Sequence, residues 1–128
     1  MDIQKIKNYW IEEAKEALQV TKHLYEKKDY SYALFFGHLA VEKILKAIYV
    51  SRKNEHAPFI HNLVRLAEFA DIKLNEIQRD ALIKITTFNL EARYPDEKRS
   101  FRIKCTEEFT KQEIEEIEKI FKWLKSIL

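Results

Sequence analysis

The chain of 128 residues contains one glycine and two prolines. Tight hairpins need Gly, Asn or Asp at positive φ, so this scarcity argues against a fold of many short strands and leaves long helices with few breaks. The apolar residues follow suit. Between Asp2 and Lys27, Ile3, Ile6, Trp10, Ala14, Ala17, Leu18, Thr21 and Leu24/Tyr25 recur at three- and four-residue spacing, one face of a long helix. Asp29 is placed to cap the next helix and Lys27-Lys28 suits the negative end of the first, so a tight antiparallel turn is expected.

The second helix, about Tyr30 to Arg52, is apolar around most of its circumference, as a central bundle element is. Gly37 lies in its middle at a cost of about 1 kcal/mol relative to alanine, which predicts that a neighbouring helix approaches closely there. KNEHAPF then breaks the helix at Pro58, and a shorter helix is expected from Asn62 to Phe69 with Leu63, Leu66 and Ala67 inward. After a loop through Asp71-Ile72-Lys73, Asn75 and Gln78 form a capping pair for a helix with the stripe Ile77, Ala81, Ile85 and Phe88, ending near Glu91. From Ala92 to Cys105 the helical period is lost and Pro95 intervenes, so this stretch reads as the longest loop. It sets five cations, Arg93, Lys98, Arg99, Arg102 and Lys104, against Asp96 and Glu97, a local balance of +3. Thr110-Lys-Gln-Glu113 reads as the capping box of a last helix with Ile114, Ile117, Ile120/Phe121, Leu124 and Leu128 inward. The expectation is one all-α domain over residues 1–128, an up-and-down bundle of about five helices with a four-helix core.

Function classes narrow in the same way. Hydrophobic residues at 46% and charged residues at 34% suit helices with one apolar and one charged face. Cys105 is the single cysteine, so no intrachain disulfide forms, and no Cys/His cluster offers a metal site; a reducing, cytoplasmic setting is expected. Charges every few residues deny the N-terminal stretch the apolar core of a signal peptide, and no apolar run is long enough to span a bilayer. A net charge of +2 with both signs interspersed gives no strong overall pull toward nucleic acid or membrane. With Gly37 as the only glycine, phosphate-binding loops and dinucleotide fingerprints are excluded, and no cofactor is expected.

Three features carry polar chemistry. His38, Glu42 and Lys46 fall at i, i+4 and i+8 on the otherwise apolar second helix, in one row with Lys43 beside them. One reading is a solvent-facing seam with an acid-before-base pair; the other is a row facing a partner or a groove between protomers, where His38 titrates or donates near neutral pH. His61 stands before the third helix, as a cap or as a site residue, while His23 and His56 have no partner at ligand spacing. In Glu91-Ala-Arg93-Tyr94-Pro95-Asp96, Arg93 offers a planar fork for phosphate or carboxylate and Tyr94 a stacking surface. The alternative is a helix stop in which Arg93 binds carbonyls or an internal acid. With Lys98, Arg99 and Arg102, Arg93 forms the candidate phosphate-binding set.

Trp10, the stretch Tyr32-Ala-Leu-Phe-Phe-Gly-His38-Leu-Ala-Val-Glu42-Lys43-Ile-Leu-Lys46-Ala47, His61-Asn-Leu63 and Ala92-Arg93-Tyr94-Pro95-Asp96 resemble, in order and spacing, the HEPN domain family over essentially the whole chain. The resemblance implies an up-and-down helical bundle, usually a homodimer, often encoded with a minimal nucleotidyltransferase as a two-component or toxin–antitoxin pair, with nucleotide binding or substrate assistance as a further role. It places His38, Glu42, Lys43 and Lys46 in a helix-two signature and Arg93, Tyr94 and Asp96 in a post-helix turn. Ribonuclease members are similar to one another in an Arg, four to six residues, then His motif, and this chain lacks it: no His follows Arg65, Arg79, Arg93, Arg99 or Arg102, and Arg52 stands too near His56 and too far from His61. A dimeric binding module is therefore expected, with a metal-independent endoribonuclease using His38 or His61 and Arg93 as the alternative, and a purely structural bundle as the third.

Overall fold

The apolar stripes close into six α-helices in the computed structural model, which describes residues 1–128: α1 (Ile3–Glu26), α2 (Tyr30–Lys53), α3 (Leu63–Phe69), α4 (Glu76–Thr86), α5 (Pro95–Lys104) and α6 (Glu107–Ser126). A 3₁₀ turn, Leu90–Ala92, lies between α4 and α5, and there is no strand. The expected all-α, up-and-down bundle is the architecture observed.

A chain with one glycine needs other residues to end its helices. Lys28, Asn54 and Asp71 occupy the left-handed region that glycine usually fills, at φ 66°, 55° and 58°. After α1, the Asp29 N–H donates to the Leu24 carbonyl and the Lys28 N–H to the Tyr25 carbonyl, the paired bonds of a Schellman stop. The same pair recurs after α3, where Ile72 N–H reaches Ala67 and Asp71 N–H reaches Glu68, with Ile72 buried against the helix it closes. A β-carbon in this region costs about 1–2 kcal/mol, partly offset by the greater chain entropy of glycine. Lys28→Gly is therefore expected to stabilise the fold by about 0.5–1 kcal/mol, read as a higher urea midpoint.

The hairpin α1–α2 is the base of the bundle. α2 packs against α1 on one side and α6 on the other, and also touches α3, α4 and α5, which explains why it is apolar all round. Leu34, Val41, Ile44, Leu45 and Ile48 are fully or almost fully buried at its centre. Gly37 marks the close approach that its position predicts: a β-carbon there stands 2.6 Å from Ile117 Cδ1 of α6.

Three local readings require correction. The stretch from Ala92 to Cys105 is not a loop, because Pro95 occupies the first turn of α5, where its missing N–H costs nothing. Asp96 and Glu97 then sit at the positive end of that helix and Arg102 and Lys104 at its negative end. α4 stops at Thr86 rather than near Glu91, and its residue Ile77 is 81% exposed, with Leu82 taking the inward place. α6 starts one turn before the expected box: Thr106 accepts from the Phe109 N–H, while Thr110 is buried inside the helix and Glu113 pairs with Lys84 of α4 at 3.1 Å. The capping box of Asn75 and Gln78 is present as expected.

Candidate functional site

The polar row of α2 is interior. His38 is 0%, Glu42 4% and Lys46 6% exposed, so it is not a solvent-facing seam. Buried charge is stable only when partnered, and the Glu42 and Lys46 charges both have partners. Glu42 holds the centre: Oε2 accepts from Lys46 Nζ at 3.1 Å and Oε1 accepts from His61 Nδ1 at 2.9 Å. The Lys46 ammonium also stands 5.2 Å from the centre of the Trp10 ring on α1, a cation–π contact that closes its apolar side. His38 Nε2 donates to the His61 backbone carbonyl at 3.2 Å, and the Phe35 ring stacks on the imidazole. The row thus ties three segments together: α1 through Trp10, α2 itself, and the chain entering α3 through His61. His38 Nδ1 is buried without a partner.

Burial pushes the His38 pKa down, against the opposing pull of Glu42 and the bond to the His61 carbonyl, with His61 and Lys46 adding to the lowering. The folded state therefore holds His38 neutral while the unfolded chain takes up a proton near the ordinary value of about 6.5. When the unfolded state binds more protons, stability rises with pH. The contribution is complete above about pH 7 and is lost as pH falls through 6.5 toward the lowered folded value. The urea midpoint is expected to fall between pH 7 and pH 5, and to fall less in His38→Gln, which retains a donor for the carbonyl. Equal slopes in both proteins would contradict this.

The remaining predicted residues lie elsewhere. Lys43 reaches back to Glu13 of α1 at 3.5 Å. Arg93 donates from Nε to the Thr87 carbonyl at 2.9 Å, a second donation runs from Nη2, and its guanidinium lies 4.4 Å from the Phe101 ring centre. The helix-stop role is the one its contacts fit, since it binds the last carbonyl beyond α4 and covers Phe101, which packs on Phe88. Tyr94 is 73% exposed, and Asp96, Lys98, Arg99 and Arg102 are all on the surface of α5 or its N-terminus. Lys98 and Arg102 face α2: with Ser31, Tyr32, Phe35, Leu90 and Glu91 they line a cavity of about 240 Å³. No hydrogen bond or ion pair joins the α2 row to the α5 cations. No group of three His, Cys, Asp or Glu side chains comes together to hold a metal ion.

A family model for the HEPN domain matches residues 8–127. The chain belongs to the HEPN domain family. No curated protein matches. Among solved structures, the crystal structure of TT1696 from Thermus thermophilus superposes with a TM-score of 0.80, covering 95% of this chain and 98% of that one at 19% identity, a likeness of fold.

Within this HEPN fold, two participants escape the sequence pattern. Trp10 reads as one more apolar position of α1, although its ring covers a buried ammonium. Ser31 reads as a polar residue at a helix start, yet it is 6% exposed and lines two cavities. The available signals are small: Trp10 lies on the α1 face that meets α2, and Ser31 is a lone small residue between Tyr30 and Tyr32. No helix of this HEPN chain is long and apolar enough to cross a membrane.

Proposed function

We propose that this chain is the binding half of a two-component HEPN system: a homodimeric helical module that acts with a minimal nucleotidyltransferase in the cytoplasm, in a toxin–antitoxin or substrate-binding accessory role. One observation carries the reading. His38, Glu42 and Lys46 face inward and hold the fold, whereas Tyr94 at the start of α5 and the outward Lys98, Arg99 and Arg102 are suited to binding a partner, a nucleotide or RNA. The missing Arg, four to six residues, then His motif supports it. So does the commitment of Arg93, whose fork is already occupied by the Thr87 carbonyl.

Light scattering at tens of micromolar tests the oligomeric part: a dimer has twice the chain's 15.4 kDa. A mass of one chain at that concentration contradicts the proposal.

One observation favours a second reading. His61, outside α2, is the exposed partner of the row, and its Nδ1 is held by the buried Glu42 carboxylate, the orientation that leaves Nε2 to act as a base. If the chain is a metal-independent endoribonuclease, defined RNA is cleaved and His61→Ala abolishes cleavage with the fold unchanged. No cleavage by the wild type removes this reading.

A further inference from the structure

The segment 55–62, between α2 and α3, meets the α2 row, and little in its own backbone holds it there. Of the N–H groups from 55 to 61, only that of Ile60 has a backbone acceptor, the Pro58 carbonyl at 2.9 Å. Side chains fasten the segment instead. Glu55 accepts from the Tyr49 hydroxyl, His61 donates from Nδ1 to Glu42 at 2.9 Å, and the His61 carbonyl accepts from His38 Nε2 at 3.2 Å. Ile60, half-buried, packs on the core, while Phe59 beside it is 98% exposed. A segment with no backbone ladder and few buried contacts opens at a fraction of the free energy of global unfolding.

His38 is the fastening that acid can undo. Its ring is fully buried, Nε2 is spent on the segment, and Nδ1 has no partner. A proton at Nδ1 makes a second N–H with nothing to accept it. Burial opposes a charge on this ring first of all. The charged or titratable groups that act on it are Glu42 and Lys46 of its own helix and His61 of the segment, and no other helix adds one. Glu42, with Oε1 3.9 Å from Nε2, is the one anion among them. That carboxylate already answers the Lys46 ammonium at 3.1 Å and holds His61, whose bond survives in either charge state of the ring. A further cation inside has no counter-charge. Once the segment lifts, the His38 ring is free of the His61 carbonyl and takes its proton in water.

Going beyond the binding role and not resting on it, we infer that the segment 55–62 is an acid-released latch over the α2 row, closed at neutral pH and opened by protonation of His38 while the helices stay folded. The closed state holds His38 neutral and the open state binds a proton, so opening gains as pH falls through the ordinary histidine value of about 6.5. One linked proton raises the open population on the order of tenfold between pH 7 and pH 5. Opening brings water to His38 and Glu42, which are 0% and 4% exposed in the closed state.

Amide hydrogen exchange of the whole chain, followed by NMR, tests the latch. The Ile60 and Leu63 N–H groups, bonded to the Pro58 carbonyl and the Thr86 hydroxyl, report the segment; those of Ile44 and Ile117 report the bundle. The segment amides are expected to exchange at least about tenfold faster than the bundle amides, through an opening that low urea leaves unchanged because it exposes little surface. Corrected for the intrinsic pH dependence of exchange, their protection falls about tenfold between pH 7 and pH 5. In His38→Gln, which keeps a donor for the carbonyl but takes up no proton, the fall shrinks below about twofold. Segment amides that exchange only together with the bundle, or an equal fall in His38→Gln, overturn the inference. Titration of the ¹⁵N-labelled imidazoles decides the matter should that variant not fold: His38 is expected to charge in step with the opening, and a charged His38 beneath a protected segment contradicts the latch.

Discussion

Glu42→Ala is expected to destabilise the chain by about 3–5 kcal/mol, the range for removing one partner from a buried ion pair. The size follows from what is stranded. Lys46, 6% exposed, loses the carboxylate 3.1 Å away and keeps only the Trp10 face, and the His61 ring loses its acceptor. Pairing and burial oppose each other in such a row, so a different substitution gives a different sign. Glu42→Met combined with Lys46→Leu removes both charges, and because an apolar replacement avoids desolvation the double variant is expected within about 1–2 kcal/mol of wild type. Urea unfolding measures both. A loss below about 1 kcal/mol in Glu42→Ala, the range of an exposed pair, would show that the row is hydrated.

Ile117→Ala is expected to cost about 4 kcal/mol, toward the upper part of the range for such truncations. Ile117 is fully buried, and its side chain fills the space that Gly37 leaves on α2. With no side chain at position 37, the cavity has nothing on that side to relax into it. Adding the methyl group then has opposite values in the two backgrounds. In wild type, Gly37→Ala gains about 1 kcal/mol of helix propensity but pushes the tip of Ile117, 2.6 Å away, off its rotamer at a similar cost, leaving little net change. In Ile117→Ala the same methyl group enters empty space and is expected to restore about 1–2 kcal/mol. A double-mutant cycle by urea denaturation reads the coupling, and additive effects would refute this packing.

The helices that bury a stripe were legible in the sequence because a period of 3.6 needs only apolar spacing: α1, α2, α3 and the body of α6 are where that spacing places them. α5 was not, for a physical reason. It buries only Phe101, so no stripe exists to read, and its true markers are Pro95 at the first position, acids in the first turn and bases in the last. A proline that starts a helix looks in sequence like one that breaks it. The shifted start of α6 has a similar cause, since Thr106 and Thr110 both offer a hydroxyl three residues ahead of a helical N–H and only packing chooses between them.

The candidate site was legible as a set of residues but not as an environment. Spacing puts His38, Glu42 and Lys46 in one row; it does not say that Trp10 and His61, from two other segments, close over that row and take it out of water. Long-range partners of this kind leave no local periodicity. Arg93 illustrates the converse, because both of its readings were open in sequence and its bonds to the Thr87 carbonyl are a tertiary choice.

The partner-dependent role is the central claim, and coexpression tests it most directly. The chain carries an affinity tag and is expressed together with a minimal nucleotidyltransferase of the kind proposed as its partner, and the purified product is weighed by light scattering. The account predicts a stoichiometric complex containing two HEPN chains, formed equally well by the Glu42→Met/Lys46→Leu variant, whose altered row is interior. A HEPN chain that elutes alone as a monomer, with the nucleotidyltransferase left in the flow-through, would contradict it.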